Sequence, residues 1–302
     1  MGPSFCADIF RPVGGETVPA IVMWGPYGKS GTGLLNLHSY HYEPVYLPIA
    51  FFGYEDFEGL VLAEWVPRGY AIINVDPRVL VTLRVISAGG VLVKVKTAIT
   101  LWRSAKLPWT IAPLEGLSDL FKEDCFRGDI PWTTFARSIA DILPGRQQQE
   151  DIGAMVDPYT VTNDYLEDKR AYFSKIQVPA YIGASYSSDI HGVGSLRALE
   201  EIPHENKWLV LHSTEWHDLY SQDRTRDLDK FFGYYLEDIK KDWPQRSPVR
   251  LALLNFTKPP IVNKEFLDLL WQLPSAASRQ LYLGSDFKLA TENPLQSRTS
   301  HL

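Results

Sequence analysis

The chain alternates between short apolar runs and longer stretches with helical spacing. Apolar runs rich in β-branched residues occur at residues 18–24, 69–76, 178–183 and 208–212. Runs of this length without polar alternation predict strands buried on both faces, as in parallel sheets. Helical spacing is found at residues 58–64, 163–176 and 194–201. The alternation predicts an α/β fold in which helices cover a mainly parallel sheet.

Two further stretches depart from this alternation. Residues 121–154 contain large apolar side chains without strand character, which predicts a helical insertion over the sheet. After Trp243 and Pro244, residues 248–254 and 280–283 have strand character and predict a second, β-rich unit. The predicted organisation is an N-terminal part of the core at 1–120, a helical cap at 121–160, a C-terminal part of the core at 161–244 and a truncated β domain at 245–302.

Composition and charge narrow the class of protein. With 45% hydrophobic and 13% aromatic residues, the 302-residue chain can bury a sizeable core. A net charge of −6 gives no electrostatic support for a nucleic-acid partner. No signal-peptide pattern and no long apolar span occur, which predicts a cytoplasmic chain without a membrane partner. The terminal Ser300, His301 and Leu302 weakly resemble a peroxisomal address, and the oligomeric state stays open.

Several segments together resemble the serine hydrolases grouped with cocaine esterase and the X-prolyl dipeptidyl-peptidases. The similar stretches are residues 7–12, 25–29, 69–78, 111–120 and 176–220, with 248–283 matching the opening of the family's C-terminal jelly roll. The resemblance implies an α/β-hydrolase fold with a helical cap and a truncated β segment. It also implies hydrolysis of a small-molecule acyl ester or amide through a serine nucleophile, with no cofactor and no metal.

The segment that should carry this nucleophile is missing. Between Trp109 and Ile111 the family has a strand, the sharp nucleophile elbow and a helix, which together need roughly 25–35 residues. Only Thr110 stands there, and no Gly-x-Ser-x-Gly motif replaces it. Because the elbow supplies the attacking hydroxyl and one oxyanion-hole N–H, this copy is expected to be inactive. The alternative is a non-catalytic, hydrolase-derived binding protein or a defective gene product.

Residues 79–104 form a second anomaly. The segment contains Arg84, Lys94, Lys96 and Arg103 but no acidic residue, and it carries six valines in an otherwise acidic chain. Shifting the coding frame by one base after Arg78 permits the sequence GVGDSEG, which is close to what the family has here. We therefore favour an out-of-frame translation over a genuine basic, β-rich segment, because such a segment breaks the local consistency of natural sequences.

The resemblance also assigns a catalytic acid and a histidine. Asp189 follows the third apolar run, where the family places the acid that orients and stabilises an imidazole. His217 follows the fourth run and matches the family's histidine with one spacing residue lost, so His212 and His191 stay open as alternatives. The structural alternatives are a capping or loop aspartate and a histidine that only packs.

A tyrosine and a serine complete the candidates. Tyr27, in Gly-Pro-Tyr-Gly-Lys, matches the family's oxyanion-hole tyrosine, whose hydroxyl faces the developing alkoxide. The alternative is a tyrosine packed at a turn. Ser185, between Gly183 and Ser187, nearly completes a Gly-x-Ser-x-Gly motif. It is the less favoured nucleophile, because it would crowd two catalytic roles onto the loop that carries Asp189.

Overall fold

The computed structural model describes residues 7–24, 29, 53–56, 58–75, 110–128, 130–135, 137, 154, 156–158, 161–167, 170–188, 190–213, 215–239, 242–253, 261–266, 277–284 and 287–293. The anomalous segment 79–104, Tyr27 and Asp189 lie outside these residues. The chain divides into two compact units, Met1–Leu269 and Leu270–Leu302.

The described elements follow one another in this order. The strands are β1 (Ala7–Phe10), β2 (Ala20–Met23), β3 (Ala71–Val75), β4 (Phe126–Arg127), β5 (Ile130–Pro131), β6 (Ala180–Ser185), β7 (Lys207–His212), β8 (Val249–Leu253), β9 (Ile261–Phe266), β10 (Tyr282–Leu283) and β11 (Leu289–Ala290). The α-helices are α1 (Leu62–Trp65), α2 (Asp164–Glu167), α3 (Gly192–Glu201) and α4 (Gln222–Leu236). One π-helical turn (Phe121–Cys125) and three 3-10 helices (Phe173–Lys175, Glu215–Tyr220, Trp243–Gln245) complete the described elements.

Three strands form the first sheet, in the order β1–β3–β2. β2 and β3 run parallel, with Ala20 opposite Ala71, and β1 is antiparallel to β3. β3 lies between the other two strands and is largely buried on both faces, as an apolar run without polar alternation predicts. The strands predicted at 18–24 and 69–76 are thus confirmed, although both are shorter than predicted.

The second sheet has the order β6–β7–β8–β9. β6, β7 and β8 are parallel, and β9 is antiparallel to β8. The strands predicted at 178–183 and 208–212 are confirmed. The segment 248–254 was predicted to open a second β-rich unit, but its strand β8 lies beside β7 in this sheet. Strand character alone does not determine the sheet that a strand joins.

Residues 111–114 extend the second sheet on its other side. Ile111 bridges Ala180 and Leu114 bridges Gly183, both in parallel. The Tyr181 N–H donates to the Ile111 carbonyl at 2.9 Å. Among the described residues, this segment pairs only with β6, and β2 pairs only with β3.

Helix α4 packs against both sheets. One hydrophobic cluster contains Ile21 and Ile72 from the first sheet together with Tyr181 and Trp208 from the second. Phe231, in α4, lies with its ring centroid 6.0 Å from that of Trp208. The apolar face of one amphipathic helix therefore covers strands of both sheets. Burial of this apolar surface away from water drives the packing.

The segment predicted as a helical cap is only partly described, with helical conformation at residues 134–135, 137, 154 and 156, and the cap stays a prediction. The π-helical turn is followed at once by a hairpin, in which Phe126 pairs with Pro131 and Arg127 with Ile130. Gly128 sits in the turn with a φ of 57°, a conformation that costs glycine little. Residues 138–153 lie outside the described residues. In the second unit, β10 and β11 form an antiparallel pair.

Gly194 marks a close approach between α3 and residues 116–123. A Cβ atom at this position would lie 2.7 Å from the Ser118 nitrogen, 2.8 Å from Glu123 Oε2 and 2.8 Å from the Gly116 carbonyl oxygen. We expect Gly194→Ala to lower the free energy of unfolding by about 1–3 kcal/mol, because two of these atoms belong to the backbone and cannot rotate away. Urea unfolding followed by circular dichroism measures the loss.

Gly233, in α4, is the matched control. A Cβ atom there would meet its nearest neighbours at 3.6–3.7 Å, which is ordinary van der Waals contact. Gly233→Ala is therefore expected to raise the free energy of unfolding by up to about 1 kcal/mol, since alanine favours the helix. Equal effects of the two substitutions would contradict the close approach at Gly194.

Candidate active site

Two parallel strands bring the candidate residues to one edge of the second sheet. Ser185 ends β6 and lies opposite His212, which ends β7. The carboxyl ends of parallel strands are where open α/β sheets bind ligands. Ser188 and Ile190, which flank Asp189 and are described, lie in the loop between β6 and α3. The backbone of His217 lies in the 3-10 helix Glu215–Tyr220 that follows β7, and its side chain is outside the description.

A buried carboxylate joins two imidazoles at this edge. Glu115 Oε1 lies 2.9 Å from His212 Nε2, and Glu115 Oε2 lies 3.3 Å from His191 Nδ1. The Glu115 and His212 side chains are 6% and 8% exposed, so the charge on either is poorly screened by water. His191 precedes α3, and His212 ends β7. The carboxylate that follows the segment 111–114 thus contacts both the residue before α3 and the last residue of β7.

The backbone at Glu115 explains how its side chain reaches this place. The segment 111–114 runs along β6, and the Glu115 N–H donates to the Gly183 carbonyl at 2.8 Å. Glu115 then adopts a φ of 51°, in the left-handed region that residues other than glycine seldom occupy. Such a conformation persists only where surrounding contacts over-determine it. Here the surrounding contacts are the two imidazoles and the bond to β6.

A second carboxylate lies behind His212. Asp218 Oδ2 is 3.8 Å from His212 Nε2, and the Arg224 Nε–H donates to the same oxygen at 2.6 Å. Arg224 is 8% exposed and belongs to α4. The arginine therefore compensates the charge of Asp218. Glu115, which is also nearer to the imidazole, is the carboxylate that acts on it more strongly.

The electrostatics favour an ionised Glu115. Burial raises the pKa of its carboxyl, but the contacts with His191 and His212 outweigh burial, so that the pKa lies below its ordinary value. The arrangement is an acid–imidazole pair of the kind that orients a catalytic histidine. Without a nucleophile it can hold and position protons, and it cannot by itself form an acyl intermediate.

Glu115→Gln is expected to change how stability depends on pH. Because the pKa of Glu115 is lower in the folded chain than the value of about 4.3 for an unfolded chain, its ionised form stabilises the fold above that pH. The stability advantage of the parent chain over Glu115→Gln, on the order of 1–3 kcal/mol for a hydrogen bond to a charged group, should shrink as pH falls below about 4. Because His191 and His212 contact position 115, the two proteins are compared between about pH 5 and pH 3, the range in which the carboxyl itself titrates. A difference that grows on acidification within this range would contradict the lowered pKa.

The serines near the site form hydrogen bonds around the loop that follows β6. Ser185 Oγ is 2.8 Å from Ser187 Oγ and accepts the Ser187 N–H at 3.2 Å. Ser188 Oγ accepts the N–H groups of Ile190 and His191, each at 3.3 Å, and lies 3.3 Å from His191 Nδ1. That nitrogen also faces Glu115. A single ring nitrogen cannot both accept a serine proton and donate to a carboxylate, so these groups do not form a catalytic triad.

The cavity beside the pair is small. It has a volume of about 10 Å³ and is lined by Leu114, Glu115, Gly183, His212, Asp218, Leu219 and Arg224. This volume is near the minimum that holds one water molecule.

Glu115 was missed in the sequence analysis. It lies within the stretch 111–120 that resembles the family, directly after a short apolar run. A carboxylate after a strand was a usable signal for a strand-end site. Its left-handed backbone was not predictable, because glutamate is a residue that rarely takes that conformation.

The described residues show neither a metal-binding cluster nor a membrane-spanning helix. They contain no group of three or more His, Cys, Asp or Glu side chains that could hold a metal ion. No described helix combines the length and the apolar character that crossing a membrane requires.

The comparisons with known proteins agree with the mainly parallel α/β architecture described above. Two crystal structures of a CocE/NonD family hydrolase from Staphylococcus aureus are similar to this chain, with TM-scores of 0.72 and 0.75 and 20% sequence identity in both. The similarity covers 92% and 95% of this chain. The chain thus has the α/β-hydrolase fold. It spans little more than half of those proteins, 55% and 57% of their length.

The sequence of the N-terminal part agrees with this fold. Residues 2–80 match the family described as X-Pro dipeptidyl-peptidase (S15 family). The resemblance inferred from the sequence is therefore confirmed. Comparison with curated protein sequences gives no match.

Proposed function

We propose that this chain derives from a serine hydrolase of carboxylic esters or amides and is not catalytically competent as it stands. The observation that carries the proposal is the buried acid–imidazole pair at the carboxyl ends of β6 and β7. Glu115 and His212 meet at 2.9 Å on an α/β-hydrolase fold. Acid–imidazole contacts in that part of such sheets are what acyl transfer through a serine requires.

The family resemblance assigns the individual roles within this proposal. Asp189 is the catalytic acid in the loop after β6, and Tyr27 is the oxyanion-hole donor. His217 is the family histidine, with His212 and His191 as its alternatives. The proposed substrate is a small acyl ester or amide.

The absence of activity follows from the missing elbow. Thr110 alone stands between Trp109 and Ile111, where the family has a strand, a turn and a helix. Without the elbow, both the attacking hydroxyl and one oxyanion-hole N–H are lost.

A non-catalytic role is the second candidate, as a hydrolase-derived binding protein or a defective gene product. The observation in its favour is the missing elbow, since Thr110 alone stands between Trp109 and Ile111 and no residue there can attack a substrate.

Labelling with a fluorophosphonate probe tests the proposal on the chain as it exists. We expect no labelling of the purified protein, while an active serine hydrolase in the same reaction serves as the positive control. Labelling that disappears in Ser185→Ala would show that Ser185 is a nucleophile. That result would overturn the proposed loss of activity.

A further inference from the structure

We infer that Glu115 is a positioning residue of the candidate active site, which fixes His212 in the tautomer with its proton on Nε2 and an unprotonated Nδ1. The catalytic meaning of this inference rests on the proposed function. The tautomer itself is a property of the chain as it exists. Neither the family match nor the structural similarities assign a role to Glu115.

The position of the proton follows from the two carboxylates around the ring. Glu115 Oε1 is 2.9 Å from Nε2, and Asp218 Oδ2 is 3.8 Å from the same nitrogen. A proton on Nε2 lies beside these negative oxygens, whereas an unprotonated Nε2 would place an electron-rich nitrogen there, so the proton is favoured on Nε2. Among the described residues, neither His212 Nδ1 nor either Glu115 oxygen makes a hydrogen bond of ordinary geometry, so the 2.9 Å approach is a close electrostatic contact. The free lone pair of a neutral His212 is therefore on Nδ1.

Glu115 acts on more than one segment. Its other oxygen lies 3.3 Å from His191 Nδ1, at the start of α3, while its backbone is bonded to β6. The remaining charged group near the imidazole, Arg224, is bound to Asp218 and so opposes that carboxylate. A buried glutamate in a left-handed conformation, with two imidazoles on its oxygens, is better explained by positioning than by a chance surface ion pair.

The consequence for chemistry concerns the direction of proton transfer. A carboxylate on one ring nitrogen sets the other nitrogen as the proton acceptor. With Glu115 on Nε2, His212 could accept a proton only through Nδ1. The inference therefore states which nitrogen would act as a base if His212 is the imidazole of the site.

Nitrogen-15 NMR of the full-length chain labelled in its histidines tests the inference. His212→Gln identifies the His212 signals by their loss. In the parent chain we expect the Nε2-protonated tautomer of neutral His212 to exceed the other by about tenfold or more, as a carboxylate 2.9 Å from that nitrogen at a buried position implies. A neutral His212 that carries its proton on Nδ1 in the parent chain would overturn the inference without any variant.

Two substitutions at position 115 sharpen the test. Glu115→Gly suits the left-handed backbone and removes the acceptor, so the tautomer excess should fall and the exchange of the Nε2 proton with water should accelerate by about tenfold or more. Added acetate or formate should reverse both changes by replacing the carboxylate. Glu115→Gln removes the charge, keeps the size of the side chain and adds an amide donor, so it should also lower the tautomer excess.

Each outcome decides the inference. If Glu115→Gly leaves both the tautomer ratio and the proton exchange unchanged, Glu115 does not position His212. None of these measurements needs activity, so their failure is distinct from a failure of the proposed hydrolase function. Conversely, an inactive repaired enzyme would leave the tautomer result standing.

Discussion

Replacing Asp227 with alanine is expected to lower the free energy of unfolding by about 3–5 kcal/mol, the typical cost of removing one partner from a buried ion network. Asp227 lies in α4 and is 5% exposed. Its Oδ2 accepts the Tyr181 hydroxyl at 2.7 Å and lies 2.7 Å from Arg250 Nη1. Its Oδ1 accepts from Arg246 at 2.6 Å. Removing the carboxylate leaves buried guanidinium groups without compensation.

The lowered pKa of Asp227 supports the same expected loss of stability. Burial raises the pKa of its carboxyl, but Arg250 and the hydrogen bonds from Tyr181 and Arg246 outweigh burial and lower it. The carboxylate is therefore stabilised as an anion by the groups that it holds. These groups belong to β6, to β8 and to the chain before β8. Loss of their contacts with Asp227 therefore loosens α4 from the second sheet.

Asp223→Ala is the matched control in the same helix. Asp223 contacts Arg226 at 2.5 Å, but its side chain is 89% exposed. Exposed ion pairs are screened by water, so we expect a change within about 0.5 kcal/mol. Urea unfolding followed by tryptophan fluorescence measures both variants. If Asp227→Ala costs no more than Asp223→Ala, the network does not stabilise the fold.

Arg224 connects this network to the candidate active site. Its Nε–H donates to Asp218, beside His212, while its Nη1 donates to the Tyr181 hydroxyl and lies 3.4 Å from Asp227. The position of the imidazole is thus supported by the packing of α4. Loosening this helix should also disturb the contact between Glu115 and His212.

The parallel strands were predictable because their sequences are continuously apolar. β3, β6 and β7 are buried on both faces, and burial of that kind leaves a strong signal in the sequence. The membership of β8 was not predictable from pattern, because Arg250, inside that strand, is 6% exposed and neutralised by Asp227 from another element. The hairpin of β4 and β5 has strands of only two residues, too short to show alternation.

The location of the candidate site was predictable, and its charge partner was not. The sequence placed the candidate acid and histidine after two neighbouring strands, and the chain around both positions follows β6 and β7. Glu115 and His212 lie 97 positions apart in the chain. Their contact depends on the register between separate chain segments, which no local sequence pattern encodes. The roles of Asp189, His217 and Tyr27 stay predictions.

The largest expected effect concerns catalytic activity. As it stands, the chain should not hydrolyse p-nitrophenyl esters above background, because no elbow serine is present. Restoring the reading frame after Arg78, together with a strand–elbow–helix segment after Trp109, should produce esterase activity on short acyl esters. The same repaired protein with its elbow serine changed to alanine is the control for this gain.

Substitutions in the repaired protein then separate the candidate residues. Asp189→Asn should lower kcat by roughly 10³-fold or more, the scale on which triad members act. His217→Gln and His212→Gln identify the catalytic imidazole, since only the true base should show a loss of that size in kcat. If instead the unrepaired chain hydrolyses p-nitrophenyl esters and Ser185→Ala abolishes the reaction, Ser185 is the nucleophile. The elbow would then not be needed for catalysis, and the assignment of the missing segment would be wrong.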